Sequence, residues 1–270
     1  MLLRLMAYLD NQDLWYEHFQ AGVGDQPLLW SDVVKSRARF NRAMSTLHDY
    51  SLVDVRAGSY GLHTCVHDWT LEYLNCDFDS ELCRVAIHCI AESVKWETEV
   101  GYWVTNRRIL QHAHRLELAR LKALIDWNGV ELGDLHNIAY LFSQGDMNVA
   151  AEEMYIRALR GKEKAWGVEH TSTLETVNNL GLLYADQGKM AEAEKMYIRA
   201  LRGKEKALGV DHTSTLDTVN NLGMLYADQG KMAEAEEMYV RALRGYEKAV
   251  GKDHPKTQII ARNLQRLICP

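Results

Sequence analysis

The sequence predicts a mainly α-helical protein, in which an N-terminal segment with a short β-hairpin precedes an array of stacked helix pairs. The stretch from Thr173 to His212 recurs almost unchanged from Thr215, at a period of about 42 residues. Periods of this length are typical of solenoids built from helix pairs. Apolar residues recur at helical spacing within each copy, and the chain contains only 3 prolines, which favours helices because proline breaks them.

The repeat register extends beyond the two best copies. Asparagines, glycines and histidines recur in step along it, at Asn137, Asn179, Asn221 and Asn263, Gly167, Gly209 and Gly251, and His170, His212 and His254. We expect a degenerate copy over residues 134–172, two close copies over 173–214 and 215–256, and a closing helix over 257–270. Atypical end copies are expected because an end unit exposes one face to water.

Each full copy is predicted to contain two helices. Val177, Leu180 and Tyr184 form one apolar stripe of the first helix, and Gly188 can adopt the left-handed conformation that ends it. The second helix should continue to about Leu208. It buries Ala193 and Ala200, whose small side chains let the two backbones approach closely, and Tyr197, which fills the space between them.

The N-terminal segment, residues 1–78, is predicted to hold three helices, two short strands around Gly58 and a returning helix. This order describes a winged-helix module, so a DNA-binding regulator is one alternative function. Residues 1–80 contain 11 Asp and Glu against 6 Lys and Arg. An acidic segment repels phosphate, and non-specific DNA affinity is largely electrostatic. The sequence therefore disfavours a nucleic-acid partner. Residues 79–133 are predicted to form a helical connector between this segment and the repeats.

The copies resemble the tetratricopeptide repeat, whose small and large positions are matched by Leu180, Gly181, Tyr184, Ala193, Tyr197 and Ala200. Their long form, with N-N-L-G, Y-x-x-Q-G-K and G-x-D-H signatures, is similar to the repeats of kinesin light chains and related fungal proteins. The resemblance implies an α-solenoid that binds proteins or peptides. It also raises a second alternative, a cargo adaptor like a kinesin light chain, although the sequence shows no heptad coiled coil with which to join a motor.

The residues Gly61-Leu62-His63-Thr64 resemble the end of the winged helix in NB-ARC proteins, the signal-transduction ATPases also called STAND or NOD-like proteins. The resemblance implies that His63 stands where the family's Met-His-Asp histidine reaches bound ADP, with Thr64 replacing the acidic residue. Fungal members commonly join such a segment to long tetratricopeptide repeats. The chain contains no G-x-x-x-x-G-K-[ST] loop, which wraps phosphates, so we expect it to be the sensor part of such an ATPase.

A partner is expected on the concave side, which the first helices of stacked pairs line. Side chains just off the packing stripe are the candidate contacts: His136, Asn137, Tyr140, Glu175, Asn178, Asn179, Leu182, Asp186, Asp217, Asn220, Asn221, Met224 and Asp228. An asparagine amide can donate to and accept from a peptide backbone at once, and the resemblance implies that Asn179 and Asn221 do so. The alternative is that one asparagine of each pair ties neighbouring helices together. The acidic members favour a peptide with some basic character.

The sequence offers no defensible catalytic constellation, so we expect a non-enzymatic protein without a cofactor. His63, Cys65, His67 and Cys76 could suggest zinc, but structural zinc sites favour paired ligand spacings, and alternation along a hairpin points neighbours to different faces. The sequence therefore predicts no metal site. The repeated histidines are interpreted as turn residues.

The composition indicates the compartment and the kind of partner to expect. The number of cysteines is 5, and an odd number fits a reducing compartment better than a disulfide framework, so a cytoplasmic location is expected. No segment has the roughly 18 consecutive apolar residues that a membrane helix needs. The net charge of −6 argues against a polyanion as partner. The near-identical copies also make self-association through the repeats an expectation.

Overall fold

The computed structural model describes residues 1–23, 31–75, 79–96, 99–121 and 129–268. It divides into two compact units, Met1–Ala150 and Ala151–Pro270. The prediction of a mainly helical protein is confirmed: the described residues contain fourteen α-helices and one two-stranded sheet. None of the described helices is both long and apolar enough to span a membrane.

The first unit begins with four helices, followed by the hairpin and a returning helix that continues as a π-helical turn. These elements are α1 (Leu2–Met6), α2 (Tyr16–Ala21), α3 (Ser31–Val34), α4 (Arg37–Asp49), β1 (Val53–Arg56), β2 (Ser59–Leu62), α5 (Thr64–Trp69) and the π-helical turn Thr70–Leu74. The hairpin is antiparallel, with Val53 opposite Leu62 and Arg56 opposite Ser59, and Gly58 adopts a φ of 84° in its turn. The hairpin expected around Gly58 is therefore confirmed.

Three longer helices complete this unit: α6 (Ser80–Ser93), α7 (Tyr102–Leu121) and α8 (Leu132–Gln144). Helix α6 is central, since α1, α2, α7 and α8 all pack against it. Its inward face is buried through residues that include Leu82, Ala86 and Ile90. Asp79 caps its first turn by accepting a hydrogen bond from the Leu82 amide at 2.9 Å.

The remaining helices are α9 (Asn148–Trp166), α10 (Thr171–Asp186), α11 (Met190–Leu208), α12 (Thr213–Asp228), α13 (Met232–Val250) and α14 (Pro255–Ile268). In the second unit α10 pairs with α11 and α12 pairs with α13, while α11 packs on α12 and α13 on α14. The predicted end of α11 at Leu208 is confirmed. Gly188 and Gly230 have φ angles of 73° and 75°, so the left-handed conformation expected at the end of each first helix is present. The end of the predicted closing helix, residues 269–270, lies outside the described residues.

The repeated histidines cap helices, as their interpretation as turn residues predicted. His170 Nδ1 accepts a hydrogen bond from the Ser172 amide at 3.2 Å, and His212 Nδ1 accepts one from the Ser214 amide at 3.2 Å. Each thus satisfies a backbone N–H that a helix start leaves without a partner. The hydroxyl of Thr173 donates to the Gly167 carbonyl at 3.0 Å, which fixes the turn before the helix.

Small residues set how closely the paired helices approach. A Cβ atom on Gly203 would lie 2.5 Å from a methyl group of Leu174, and one on Gly245 would lie 2.5 Å from a methyl group of Leu216. Both leucines are buried, at 0% and 1% exposure, so neither can swing aside. The close approach buries the Tyr197 ring in a cluster with Ala193, Leu222 and Leu225.

We predict that Gly203→Ala lowers the free energy of unfolding by about 1–3 kcal/mol, because the added methyl group overpacks the site. Gly133→Ala is the control: a Cβ there meets nothing within 4 Å, and alanine is the better helix former, so no loss is expected. Urea unfolding of both variants measures the difference. Equal stability of Gly203→Ala and the wild type would contradict this account of the packing.

A buried pair of histidines lies between α2 and α7 in the first unit. His18 and His112 are both 0% exposed, and their rings stack with centroids 5.1 Å apart. His112 Nδ1 accepts from the Asp10 amide at 3.1 Å, and its Nε2 lies 3.3 Å from the Asp13 carbonyl. This arrangement requires a neutral ring, because a proton on Nδ1 would face the Asp10 N–H. Burial lowers the pKa of both histidines.

We predict that the first unit loses stability as the pH falls below about 6.5, the pKa of an unfolded histidine. The folded pKa values are lowered, so the stabilisation is complete above pH 6.5 and declines by about 1.4 kcal/mol per pH unit for each histidine below it. Thermal unfolding from pH 8 to pH 5 measures this decline. His18→Phe should flatten the profile, whereas His114→Gln, at an exposed position of α7, should leave it unchanged.

Candidate functional site

The first helices of the second unit leave one face without apolar cover. On α10 this face carries Leu182, which is half-buried, and Asp186, which is exposed. On α12 the equivalent positions are Met224, 42% exposed, and Asp228, also exposed. Although Asp186 is exposed, neighbouring groups partly exclude water from its carboxylate and raise its pKa, so a nearby positive charge would stabilise its ionised form.

Asn178 faces inward, unlike the other candidates on α10. It is buried, and its Oδ1 accepts hydrogen bonds from the Thr218 hydroxyl at 2.9 Å and from Asn221 Nδ2 at 3.4 Å. Its own amide donates to Asn179 Oδ1 at 3.2 Å. The alternative that one asparagine of a pair ties neighbouring helices together therefore describes Asn178, which joins α10 to α12. Asn179 and Asn221 are half-buried beside it.

Asn220 occupies the same register position on α12 but lacks this bond. The residue that corresponds to Thr218 on the next first helix is Ile260, which has no hydroxyl to donate. Asn220 Oδ1 is consequently buried without a hydrogen-bond partner, while its Nδ2 lies 3.6 Å from the sulfur of Met224.

The acidic residues at the start of the two first helices differ in their contacts. Asp217 accepts hydrogen bonds from Lys256 Nζ at 2.8 and 2.9 Å and from the Tyr246 hydroxyl. It thereby links α12 with α13 and α14. Glu175, its equivalent on α10, is exposed. Of these two carboxylates, Glu175 is thus the more accessible to a partner.

The candidates on α8 lie under another segment of the first unit. His136 and Tyr140 are each 6% exposed, and the Trp96 ring lies 5.9 Å and 4.5 Å from theirs. Asn137 Nδ2 donates to the Ala91 carbonyl at 3.2 Å. The chain itself therefore covers this part of α8, in contrast to the exposed side chains of α10 and α12.

Comparison with protein families agrees with the stacked helix pairs of the structure. A family model described as tetratricopeptide repeat matches three overlapping segments, residues 134–206, 172–248 and 214–264. Residues 134–264 form tetratricopeptide repeats. The prediction made from the 42-residue period is therefore confirmed for just under half of the chain. Tetratricopeptide repeats generally mediate contacts between proteins. Comparison with curated protein sequences gave no match.

Several solved structures are similar to this chain at low identity. The crystal structure of BtubC (BKLC) from P. vanneervenii is similar with a TM-score of 0.50 and 21% identity, over 73% of this chain and 76% of that chain. Two crystal structures of a Podosopora anserina putative kinesin light chain with nearly identical TPR-like repeats have TM-scores of 0.48 and 20% identity. These cover 61% of this chain and 77% or 78% of those chains.

His63 lies at the start of α5, directly after β2. Its side chain is 45% exposed, and its Nε2 lies 3.5 Å from Asp54 Oδ1. His67, by contrast, is buried, and its Nε2 lies 2.9 Å from the Leu9 carbonyl. Cys65 is exposed, and Cys76 lies outside the described residues. In the described part of the chain, His63, Cys65 and His67 do not converge on a common metal position.

Sequence reasoning missed a buried lysine on the second helix of two repeats, α9 and α11, which donates to the first helix of the next repeat. Lys162 and Lys204 are each 3% exposed. Lys204 Nζ donates to the Ser214 carbonyl and to the Thr218 hydroxyl, both at 3.1 Å. Burial lowers the pKa of Lys162 to about 8. A lysine of this kind can act as a nucleophile when substrate reaches it, but here the enclosure and the two hydrogen bonds direct the ammonium toward the next helix.

The two asparagines give a matched test of the bond between first helices. We predict that Asn178→Ala lowers the free energy of unfolding by about 1–3 kcal/mol, since it removes the acceptor of a buried hydroxyl. Asn220→Ala should cost less, because its carbonyl oxygen bonds nothing. Ile260→Thr should restore a donor opposite Asn220 and make Asn220→Ala costly. Urea unfolding of these variants measures the coupling, and equal losses for both asparagines in the wild-type background would contradict it.

Proposed function

We propose that the protein is a non-enzymatic scaffold whose tetratricopeptide repeats bind a protein or peptide segment on their concave side, along the exposed faces of α10 and α12. One observation carries the proposal. Leu182 and Asp186 recur as Met224 and Asp228, on faces that the repeats do not cover. The repeated pair offers an apolar contact beside a carboxylate at each step. An extended chain that spans both helices would meet the same pair twice.

The chemistry of these positions favours a partner with basic and apolar side chains. Asp186 and Asp228 are exposed, and the described residues provide no ion pair to either. A lysine or arginine of a ligand could pair with them, and complementary charge of this kind favours encounter and register. Met224 is flexible and polarisable, so it adapts to different apolar side chains. Glu175 adds a third accessible carboxylate on the same side of α10.

Charge reversal tests this surface. Peptides selected from a random library against the full chain supply the ligand. We predict that Asp228→Lys weakens their binding about tenfold or more, by replacing attraction with repulsion. Glu237→Lys is the matched control, since Glu237 is exposed on α13 and the charge change is the same. Titration calorimetry of both variants measures the effect. Equal loss for the two variants, or no loss for either, would contradict the proposal.

Within this function, we propose that the chain is the sensor part of a fungal NB-ARC-type ATPase. Helices α1–α4, one more than the three predicted, are followed by the hairpin and a returning helix, much as in a winged helix, and His63 stays accessible after β2. An exposed imidazole there could contact a nucleotide that another domain holds. Mapping the 5′ end of the transcript tests this proposal. An in-frame G-x-x-x-x-G-K-[ST] upstream supports it, whereas a transcript that starts at Met1 contradicts it.

Two alternative functions would use different surfaces, the repeat faces or helix α4. A cargo adaptor like a kinesin light chain would also use the repeat faces, and the named kinesin-light-chain structures make it the second candidate. A DNA-binding regulator would use α4, whose Arg37, Arg39 and Arg42 are exposed. Arg37 pairs with Glu17, which reduces the charge available for phosphate. We assign the protein to the cytoplasm, and self-association through the repeats is a further proposal that sedimentation measurements would test.

A further inference from the structure

Three metal-ligating side chains meet between α6 and α8 in the first unit. His88 Nδ1 lies 3.0 Å from both carboxylate oxygens of Asp134. Glu92 stands one helical turn after His88 on α6. One ligand atom from each of these residues falls in a group whose members all lie within 4.8 Å of one another.

The carboxylate of Asp134 is unusual for its position. The repeat register aligns Asp134 with Thr176 and Thr218, which are neutral and 0% exposed. Asp134 is only 4% exposed, so a negative charge is buried where the other copies place a hydroxyl. Burying a charge is costly unless it is paired and hydrogen-bonded.

The described residues supply this carboxylate with a single hydrogen-bond donor. An ionised carboxylate can accept about four hydrogen bonds, yet both oxygens of Asp134 share the one N–H of His88. The buried carboxylate thus favours positive charge at the position of the shared proton. A metal ion in the place of the shared proton would supply that charge and bind both residues.

We propose that His88, Glu92 and Asp134 form a binding site for a divalent transition-metal ion of the zinc class. Zinc binds histidine nitrogen and carboxylate oxygen at about 2.0–2.2 Å in tetrahedral geometry, which separates the donor atoms by about 3.3 Å. The separation of His88 and Asp134 already approaches this value. Glu92 is exposed, so its side chain can rotate to complete the set.

The donor set selects among metals. An imidazole nitrogen suits zinc, nickel, copper and iron, whereas magnesium and calcium prefer oxygen ligands throughout. Three protein ligands leave a fourth position on the exposed side for water. A bound ion would connect α6 to α8 directly and would stabilise the first unit by mass action.

Zinc titration of the full chain tests the proposal. The background carries Cys65→Ser, because an exposed thiol beside His63 could bind zinc on its own. We predict one site per chain that raises the melting temperature, with no comparable rise from magnesium. Glu92→Gln should raise the dissociation constant about tenfold or more. This variant keeps the His88–Asp134 hydrogen bond, so it should fold like the wild type.

Two further variants separate the site from general charge effects. Glu81→Gln removes the same charge from α6 at an exposed position and should leave the affinity for zinc unchanged. His88→Gln should abolish the site. Zinc affinity that Glu92→Gln does not change, or that Glu81→Gln lowers equally, would overturn the proposal. Anomalous scattering at the zinc edge should place the ion about 2.1 Å from His88 Nδ1, and an ion located only at other residues would overturn it as well.

Discussion

The close approach of the two helices within each repeat is the constraint on which the second unit depends. Leucine methyl groups occupy the space beside Gly203 and Gly245, at 2.5 Å from where a Cβ would lie. A helix pair packed this way still exposes one apolar face, which only the next pair can cover. Tyr197 accordingly packs with Leu222 and Leu225 of the following helix. Stability is therefore shared between neighbouring copies rather than held within one.

On the first helices of the repeats, some polar residues stabilise the fold and others are available to bind a partner. Asn178 and Asp217 form hydrogen bonds to neighbouring helices, whereas Asp186 and Asp228 are exposed and available to a ligand. On α8 the ring of Trp96 covers Tyr140 at 4.5 Å. Position in the repeat register alone therefore does not make a residue a ligand contact. What decides is whether the next helix, or another segment of the chain, already uses that side chain.

The periodic part of the fold could be predicted because each rule acts locally. The spacing of apolar residues and the position of Gly188 predicted where α10 ends and where α11 begins and ends. The N-terminal segment was harder, since three helices were predicted before the hairpin and four are present, the first ending at Met6. For the candidate site, the repeat spacing predicted which helix face is exposed, but not which of its residues are buried. Asn178 is buried because it contacts Thr218, 40 residues away in the sequence. His88 and Asp134, 46 residues apart, share no motif that could have paired them.

The difference between Thr218 and Ile260 bears on misfolding. Nearly identical copies can pair out of order, and repeat proteins are prone to such misassembly. If α14 docked on α11 in place of α12, a copy would be skipped. Lys204 Nζ and Asn178 Oδ1 would then face the hydrocarbon side chain of Ile260, and both would lose the hydroxyl that Thr218 provides. The difference between Thr218 and Ile260 thus favours docking of α12, rather than α14, on α11.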